Sequence, residues 1–247
     1  ERAALEQELE ACKLRKEVVD QDDLVTLSMP LPNGNFERFG FVETPVMEAA
    51  LQAKYPNIRT YTAQGIDDPR KTMKLETGPR GLQAMIFAPT GNTIISPAFD
   101  GDLDHYMVFR KQDLAHQAPA FHCGHDDFTP LTTATSSKSG SSQNPTGTEL
   151  RTYRLALGTT GEYTSFHGGT KEMALAAMAT SMNRINGIYE RDFTITMVLV
   201  AATDTLIYLD PDTDPYTNND LGAVLGENQQ LCDSLIGVDN YDIGHVF

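Results

Sequence analysis

The chain has 247 residues, enough for one large domain or two smaller ones, each able to bury a core. Its formal net charge of −15 disfavours nucleic acid and anionic membrane surfaces as partners, because both carry charge of the same sign. No apolar run is long enough for a membrane span, and residues 1–17 lack the continuous apolar core of a signal peptide.

The first 130 residues are predicted to be rich in β-strands. Residues 1–17 fit a helix with Leu5 and Leu9 on its apolar side. Alternation of apolar and polar residues predicts strands on both sides of two turns, at residues 32–35 and 78–81. Further short strands follow, and a short helix is predicted to end before Pro56. The predicted strands are residues 24–30, 36–43, 72–77, 82–88, 92–99 and 105–111.

Residues 131–148 consist almost entirely of Ser, Thr, Gly, Asn and Pro. Such a segment cannot bury enough apolar surface to offset the entropy of ordering it, which predicts a flexible linker. We therefore predict a β-rich domain over residues 1–130 and a second domain over residues 149–247.

The second domain alternates strands and helices, which is typical of an α/β layer structure. Thr170 is predicted to cap a Met- and Ala-rich helix whose apolar face belongs to the core rather than to a ligand site. The other predicted elements are strands at residues 151–159, 193–201 and 241–247 and a helix at residues 221–235. The fold class predicted for the whole chain is therefore α+β followed by α/β.

Two segments carry groups that could bind a metal. Residues 122–127, His-Cys-Gly-His-Asp-Asp, combine imidazole, thiolate and carboxylate groups, which suit zinc, but their spacing is not that of a zinc finger. An ordinary partly buried thiol is the alternative for Cys123. Asp210, Asp212 and Asp214 offer the oxygen ligands that calcium prefers, without EF-hand spacing. The alternative for these aspartates is a solvated turn.

Several stretches of the second domain occur in an order that resembles the bacterial reprolysin-like zinc metallopeptidases, a branch of the metzincins. They are RTYRLALG, EYTSFHGGT, NRINGIYERDF, DPYTNN, LGENQ and YDIGHVF; VETPVM and YTAQGIDDP extend the resemblance upstream. The resemblance implies a prodomain followed by the N-terminal half of a catalytic domain, with a mixed sheet and two long helices. It thus implies the precursor of a secreted zinc endopeptidase, with a signal peptide expected upstream.

The resemblance also implies roles for individual residues. The zinc-binding sequence H-E-x-x-H is absent from the 247 residues, so the zinc ligands are expected beyond residue 247. Residues 242–247 correspond to an edge strand that binds extended peptide substrate, with contacts from Ile243, Gly244, His245 and Val246. Cys123 is the candidate for an inhibitory switch that ligates the catalytic zinc. Structural calcium at the three aspartates is a further expectation.

Three functional hypotheses follow. The first is the endopeptidase precursor, kept latent by its prodomain, with a protein or peptide substrate and the remainder of the catalytic domain as partners. The second is a structural or assembly protein that reuses the fold without hydrolysis. The third is a free-standing inhibitor module formed by the prodomain. Glu162, Glu190 and Glu227 are predicted to have no catalytic role, because nothing in their spacing brings them together.

Overall fold

A computed structural model describes residues 2–99, 101–114, 147–218 and 220–247. Its first part is a single antiparallel sheet in which seven strands, β1 to β7, lie in sequence order and curl into a half-barrel. Helix α1 (Arg2–Leu9) precedes the sheet, and helix α2 (Ala49–Lys54) lies between the second and third strands. The strands are β1 Val25–Pro30, β2 Phe36–Glu43, β3 Arg59–Gly65, β4 Thr72–Thr77, β5 Gln83–Phe87, β6 Thr93–Pro97 and β7 Tyr106–Arg110.

The six predicted strands and the short helix are confirmed, with small shifts at their ends. Strand β3 was not predicted, although it lies between β2 and β4 near the middle of the sheet. The N-terminal helix is shorter than predicted and ends at Leu9, which is fully buried. The predicted linker lies almost wholly outside the described residues, so the domain boundaries remain predictions.

The second part contains a three-stranded sheet in the order β10, β8, β9. Both pairings are parallel, so the expected mixed sheet is wrong for the strands that the structure describes. Helix α4 connects β8 to β9 as a parallel crossover requires. The elements are β8 Arg151–Gly158, α3 Gly161–Phe166, α4 Lys171–Phe193, β9 Ile195–Leu199, α5 Leu221–Leu231 and β10 Ile243–Val246.

Helix α4 is the longest element and packs against both sheets. The hydroxyl of Thr170 caps it by accepting a hydrogen bond from the Met173 amide, as predicted. The helix continues to Phe193, where the sequence predicted the start of a strand, and Thr194 ends it in the left-handed conformation. Residues 174–179 are all buried. The sequence predicted a single apolar face. This part of the helix is instead buried on all sides, because it lies between two sheets.

One hydrophobic core joins the two parts of the chain. Residues 46–58, including α2, contribute Val46, Met47, Leu51 and Ile58 to the same cluster as residues of β8, α4 and β9. A second core lies on the other side of the antiparallel sheet, between the sheet and α1. In β4, Met73 and Leu75 belong to that second core, whereas residues 74 and 76 contact α4. The sheet is therefore covered on both faces.

The outer edge of β9 is closed by hydrogen bonds. The amide of Leu199 donates to the carbonyl of Val46, and its carbonyl accepts from the amide of Glu48. The side-chain amide of Asn186 accepts from Met197 N–H at 2.9 Å and donates to Met197 C=O at 2.8 Å. Such capping prevents further strand addition at these positions. None of the helices in the described ranges has both the length and the apolar character needed to cross a membrane.

Candidate functional site

Strand β10 carries the four residues for which a substrate contact was predicted. Ile243, Gly244, His245 and Val246 pair in parallel with residues 155–158 of β8, and no described strand pairs with the other side of β10. Gly244 lies against the end of α5, because an added Cβ atom would meet Asn228 Nδ2 of this helix at 3.5 Å and Sγ of Cys232, the residue after it, at 3.3 Å. His245 is an exposed residue, but neighbouring groups shield part of its imidazole from water. This partial desolvation lowers the pKa of His245. The strand thus has one edge available for pairing, in contrast to β9.

An aromatic cluster lies beside the end of β10. The Phe247 ring is 5.5 Å from the His245 ring and 5.2 Å from the Tyr163 ring, which in turn lies 4.3 Å from His167. Arg80, from the turn between β4 and β5, bonds His167 Nδ1 at 2.5 Å. Because a guanidinium can only donate, Nδ1 is the unprotonated acceptor of this imidazole. His167 is the C-cap residue of α3, and its contact with Arg80 links the two parts of the chain.

A charged group is enclosed between the antiparallel sheet and α4. Lys74 Nζ lies 2.9 Å from Glu190 Oε1, and Arg15 Nη1 lies 3.1 Å from Glu190 Oε2. Lys74 also donates to Thr62 Oγ1 at 2.8 Å. Burial lowers the pKa of Lys74 more than Glu190 raises it. Burial raises the pKa of Glu190, but the two neighbouring cations together lower it below its ordinary value. Glu190 is thus the ion-pair partner of both Lys74 and Arg15.

A second buried polar contact lies about two turns along α4, at Asn183. Glu76 Oε2 accepts a hydrogen bond from Asn183 Nδ2 at 2.8 Å, and the same amide group donates to the Leu75 carbonyl at 3.0 Å. Arg184 lies 3.9 Å from Glu76 Oε1. Burial raises the pKa of Glu76 to about 7, because Arg184 and Asn183 compensate only part of the lost hydration. The sequence alone gave no sign of this contact, since residues 76 and 183 are far apart along the chain.

Asp210, Asp212 and Asp214, the residues of the calcium prediction, lie in the segment between β9 and α5. Asp210 accepts from the amide of Asp212 at 3.0 Å and from the Thr213 hydroxyl at 3.0 Å. Asp214 accepts from the amides of Gly161 at 2.6 Å and Tyr216 at 2.9 Å. Within the described ranges, no three or more His, Cys, Asp or Glu side chains converge on a point where a metal ion could lie. Two of the aspartates, Asp210 and Asp214, therefore stabilise turns, and calcium binding here remains a prediction.

The residues that the structure describes likewise contain no cluster of three or more such side chains that could hold a zinc ion. Cys123 and its neighbours His122, His125, Asp126 and Asp127 lie outside the described residues, so the switch remains a prediction. Two buried thiols inside the described ranges, Cys12 and Cys232, are unpaired. Burial raises the pKa of both, which makes them poor nucleophiles.

The two remaining glutamates considered in the sequence also have structural partners. Glu162 accepts from Asn218 Nδ2 at 2.6 Å. Glu227 accepts from the Thr217 amide at 2.8 Å and from its hydroxyl at 2.6 Å. These contacts fix the loop that precedes α5.

Comparison with known protein families gives a match for the second part of the chain. Residues 149–247 match the model of the metallo-peptidase family M12B, reprolysin-like. The match supports a reprolysin-like metallopeptidase domain, and thus a zinc-dependent peptidase family, over these residues. It covers β8 to β10 and the helices between them, and it leaves the antiparallel sheet unassigned. A comparison with curated proteins gave no match.

Proposed function

We propose that residues 149–247 are the N-terminal part of the catalytic domain of a secreted zinc endopeptidase. The observation that carries this proposal is the family match over the whole of that range. Because H-E-x-x-H is absent from these 247 residues, the metal and its general base are assigned to residues outside this sequence. The role proposed for residues 149–247 is to bind substrate and to associate with the upstream part of the chain.

Substrate binding is assigned to the free edge of β10. An extended peptide can add to a sheet edge through backbone hydrogen bonds, which gives affinity without requiring a particular side chain. Of the two outer strands of the small sheet, β9 is already closed by Asn186 and residues 46–48, as described above. The exposure of Ile243, Gly244 and His245 supports this choice of edge.

The upstream part is proposed to act as the prodomain that keeps the enzyme latent. Its contacts with the second part support a tight association: buried apolar residues from 46–58, the Lys74–Glu190 ion pair and the Arg80–His167 hydrogen bond. Cys123 is proposed as the inhibitory residue on the basis of the sequence resemblance alone. The whole 247-residue chain should then inhibit a related peptidase, and Cys123→Ser should weaken that inhibition. Unchanged potency would exclude the switch.

The test of the main proposal uses the natural full-length gene product. Its intact mass establishes where the chain ends, and its zinc content and its cleavage of a peptide library are then measured with and without a chelator. We expect about one zinc per molecule and chelator-sensitive cleavage. The 247-residue chain serves as the control, which should neither bind zinc at this stoichiometry nor cleave peptides.

The principal alternative is a non-catalytic structural or assembly protein. A natural chain that ends near residue 247, binds no zinc and cleaves no peptide would favour it and would refute the endopeptidase proposal. Sedimentation of the purified natural protein adds an independent criterion, because an assembly protein should form a large particle or filament at physiological concentration.

A further inference from the structure

A pocket of about 440 Å³ lies between the antiparallel sheet and the last turns of α4. Its floor is formed by neighbouring residues of β3 and β4, because Thr62 pairs with Lys74 and Gln64 pairs with Thr72. These side chains present hydroxyl and amide groups to the pocket. It is separate from the free edge of β10, and its wall on the α4 side belongs to the range covered by the family match, whereas its floor lies in the antiparallel sheet upstream of that range.

The charges that line this pocket are opposite in sign to those of the whole molecule. Four cationic side chains line it, Arg15, Arg70, Lys74 and Arg191, against the single carboxylate of Glu190. The chain as a whole has a net charge of −15. A concave site that collects one sign of charge raises the local concentration of ions of the other sign. The pocket is therefore an electropositive site on an acidic protein.

The cations in the pocket are only partly neutralised. Arg15 and Lys74 share one carboxylate, that of Glu190. Arg70 pairs with Asp68 and Arg191 with Asp192, and both aspartates lie outside the lining of the pocket. Lys74 is 4% exposed, and the nearby Arg15 adds to the lowering of its pKa by burial. A further negative charge in the pocket would therefore be favourable.

We propose that this pocket binds a small multivalent oxyanion, a molecule bearing phosphate or several carboxylate groups. Lys74 supplies the inner positive charge, and the more exposed Arg15, Arg70 and Arg191 at the rim supply hydrogen-bond donors in the planar arrangement that suits oxyanions. The Thr62, Gln64 and Thr72 side chains offer further polar contacts on the floor. Binding joins the antiparallel sheet to α4, so the ligand stabilises the association of the two parts of the chain.

The experiment measures binding of inorganic phosphate and of citrate to the 247-residue chain by calorimetry and thermal unfolding, with chloride at matched ionic strength. Both probes should raise the unfolding temperature where chloride does not. The test variant is Arg70→Gln combined with Arg191→Gln. Both are rim residues, with side chains 74% and 36% exposed, so the fold should be retained. Loss of about threefold in affinity for each charge predicts roughly tenfold weaker binding.

The matched control is Arg110→Gln combined with Arg151→Gln, which removes the same charge from exposed positions outside the pocket. This control should bind phosphate as the unmodified chain does. A stronger response to phosphate than to citrate would identify tetrahedral phosphate as the preferred group, and the reverse would identify carboxylates. Equal stabilisation by chloride, unchanged binding in the rim variant or an equal loss in the control would each overturn the proposal.

Discussion

At the scale of single residues, the titration of Glu76 should affect stability near neutral pH. Its carboxyl group is buried between β4 and α4, beside Asn183 and Arg184, and its pKa is raised from 4.5 to about 7. The folded state therefore holds this proton more tightly than the unfolded state. The resulting stabilisation is complete below pH 4.5 and is lost as the pH rises through 7. The whole effect is about 3 kcal/mol, since each pKa unit corresponds to about 1.4 kcal/mol.

Replacement of Glu76 by Gln should remove this pH dependence, because Gln is neutral and keeps an acceptor for Asn183. We expect the variant to be more stable than the unmodified chain at pH 8, by up to about 3 kcal/mol. Urea unfolding at pH 5, 6, 7 and 8 measures the difference. Glu8→Gln, at an exposed position of α1, is the control and should keep the original pH dependence. An E76Q variant with an unchanged slope would show that Glu76 does not retain the proton.

Replacement of Gly161 should be strongly destabilising, even when the new residue is as small as alanine. A Cβ atom there would overlap the backbone of residues 210 and 211, and its amide donates to Asp214 Oδ2 at 2.6 Å. Gly161→Ala should therefore cost about 2 kcal/mol or more, because the loop must move and the hydrogen bond is strained. Gly226→Ala is the matched control, since nothing lies within 4 Å of the added methyl group in α5. It should stabilise the chain by about 0.5–1 kcal/mol. Equal effects in urea unfolding would contradict this explanation.

At the scale of elements, the side chain of Asn186 forms the backbone hydrogen bonds with β9 that a neighbouring strand would otherwise form. It is 2% exposed and satisfies both backbone groups of Met197. Asn186→Ala should leave a buried donor and a buried acceptor unpaired, at a cost of roughly 2–4 kcal/mol in the free energy of unfolding. Asn57→Ala, at an exposed position, should change stability by less than about 0.5 kcal/mol. If both substitutions cost the same, the edge of β9 does not depend on the amide of Asn186.

Most elements could be predicted from the sequence because their patterns are local. The turns at 32–35 and 78–81, the cap at Thr170 and the apolar run of β9 depend on neighbouring residues alone. Strand β3 was missed because many of its residues are polar, which weakens the apolar pattern of a strand. Two apolar residues at alternate positions, Tyr61 and Ala63, are nevertheless buried. The length of α4 and the burial of its middle could not be predicted, since they depend on which sheets lie beside it.

The candidate site could be predicted only in part, for a similar reason. The position of β10 at the edge of a sheet follows from a resemblance that involves contiguous residues. The Glu76–Asn183 contact and the basic pocket join residues more than 100 positions apart, and no local pattern indicates such pairs. The three aspartates at 210–214 show a further restriction, because a sequence of oxygen ligands does not specify whether those oxygens bind a metal or a backbone amide.

At the scale of the whole molecule, the two parts of the chain should unfold together. Helix α4 contributes to a core shared with residues 46–58, and its polar side bonds to β4. The Lys74–Glu190 ion pair is the most buried of the ion pairs across this contact, with side chains 5% and 14% exposed. Loss of either partner leaves a buried charge without full compensation, which typically costs about 3–5 kcal/mol.

Glu190→Gln should lower the free energy of unfolding more than Lys74→Met does. Glu190 compensates two cations, so its loss leaves both without a partner carboxylate. When Lys74 is lost instead, Glu190 still has Arg15 and the Thr196 hydroxyl. The double variant should cost less than the sum of the single variants, since neither charge is then left behind. Hydrogen exchange should accelerate in both β4 and β9 for each single variant. Arg38→Met, which removes an exposed ion pair with Asp67, should cost less than about 1 kcal/mol and leave β9 unaffected. Faster exchange in only one sheet would mean that the two parts unfold independently and that the ion pair does not couple them.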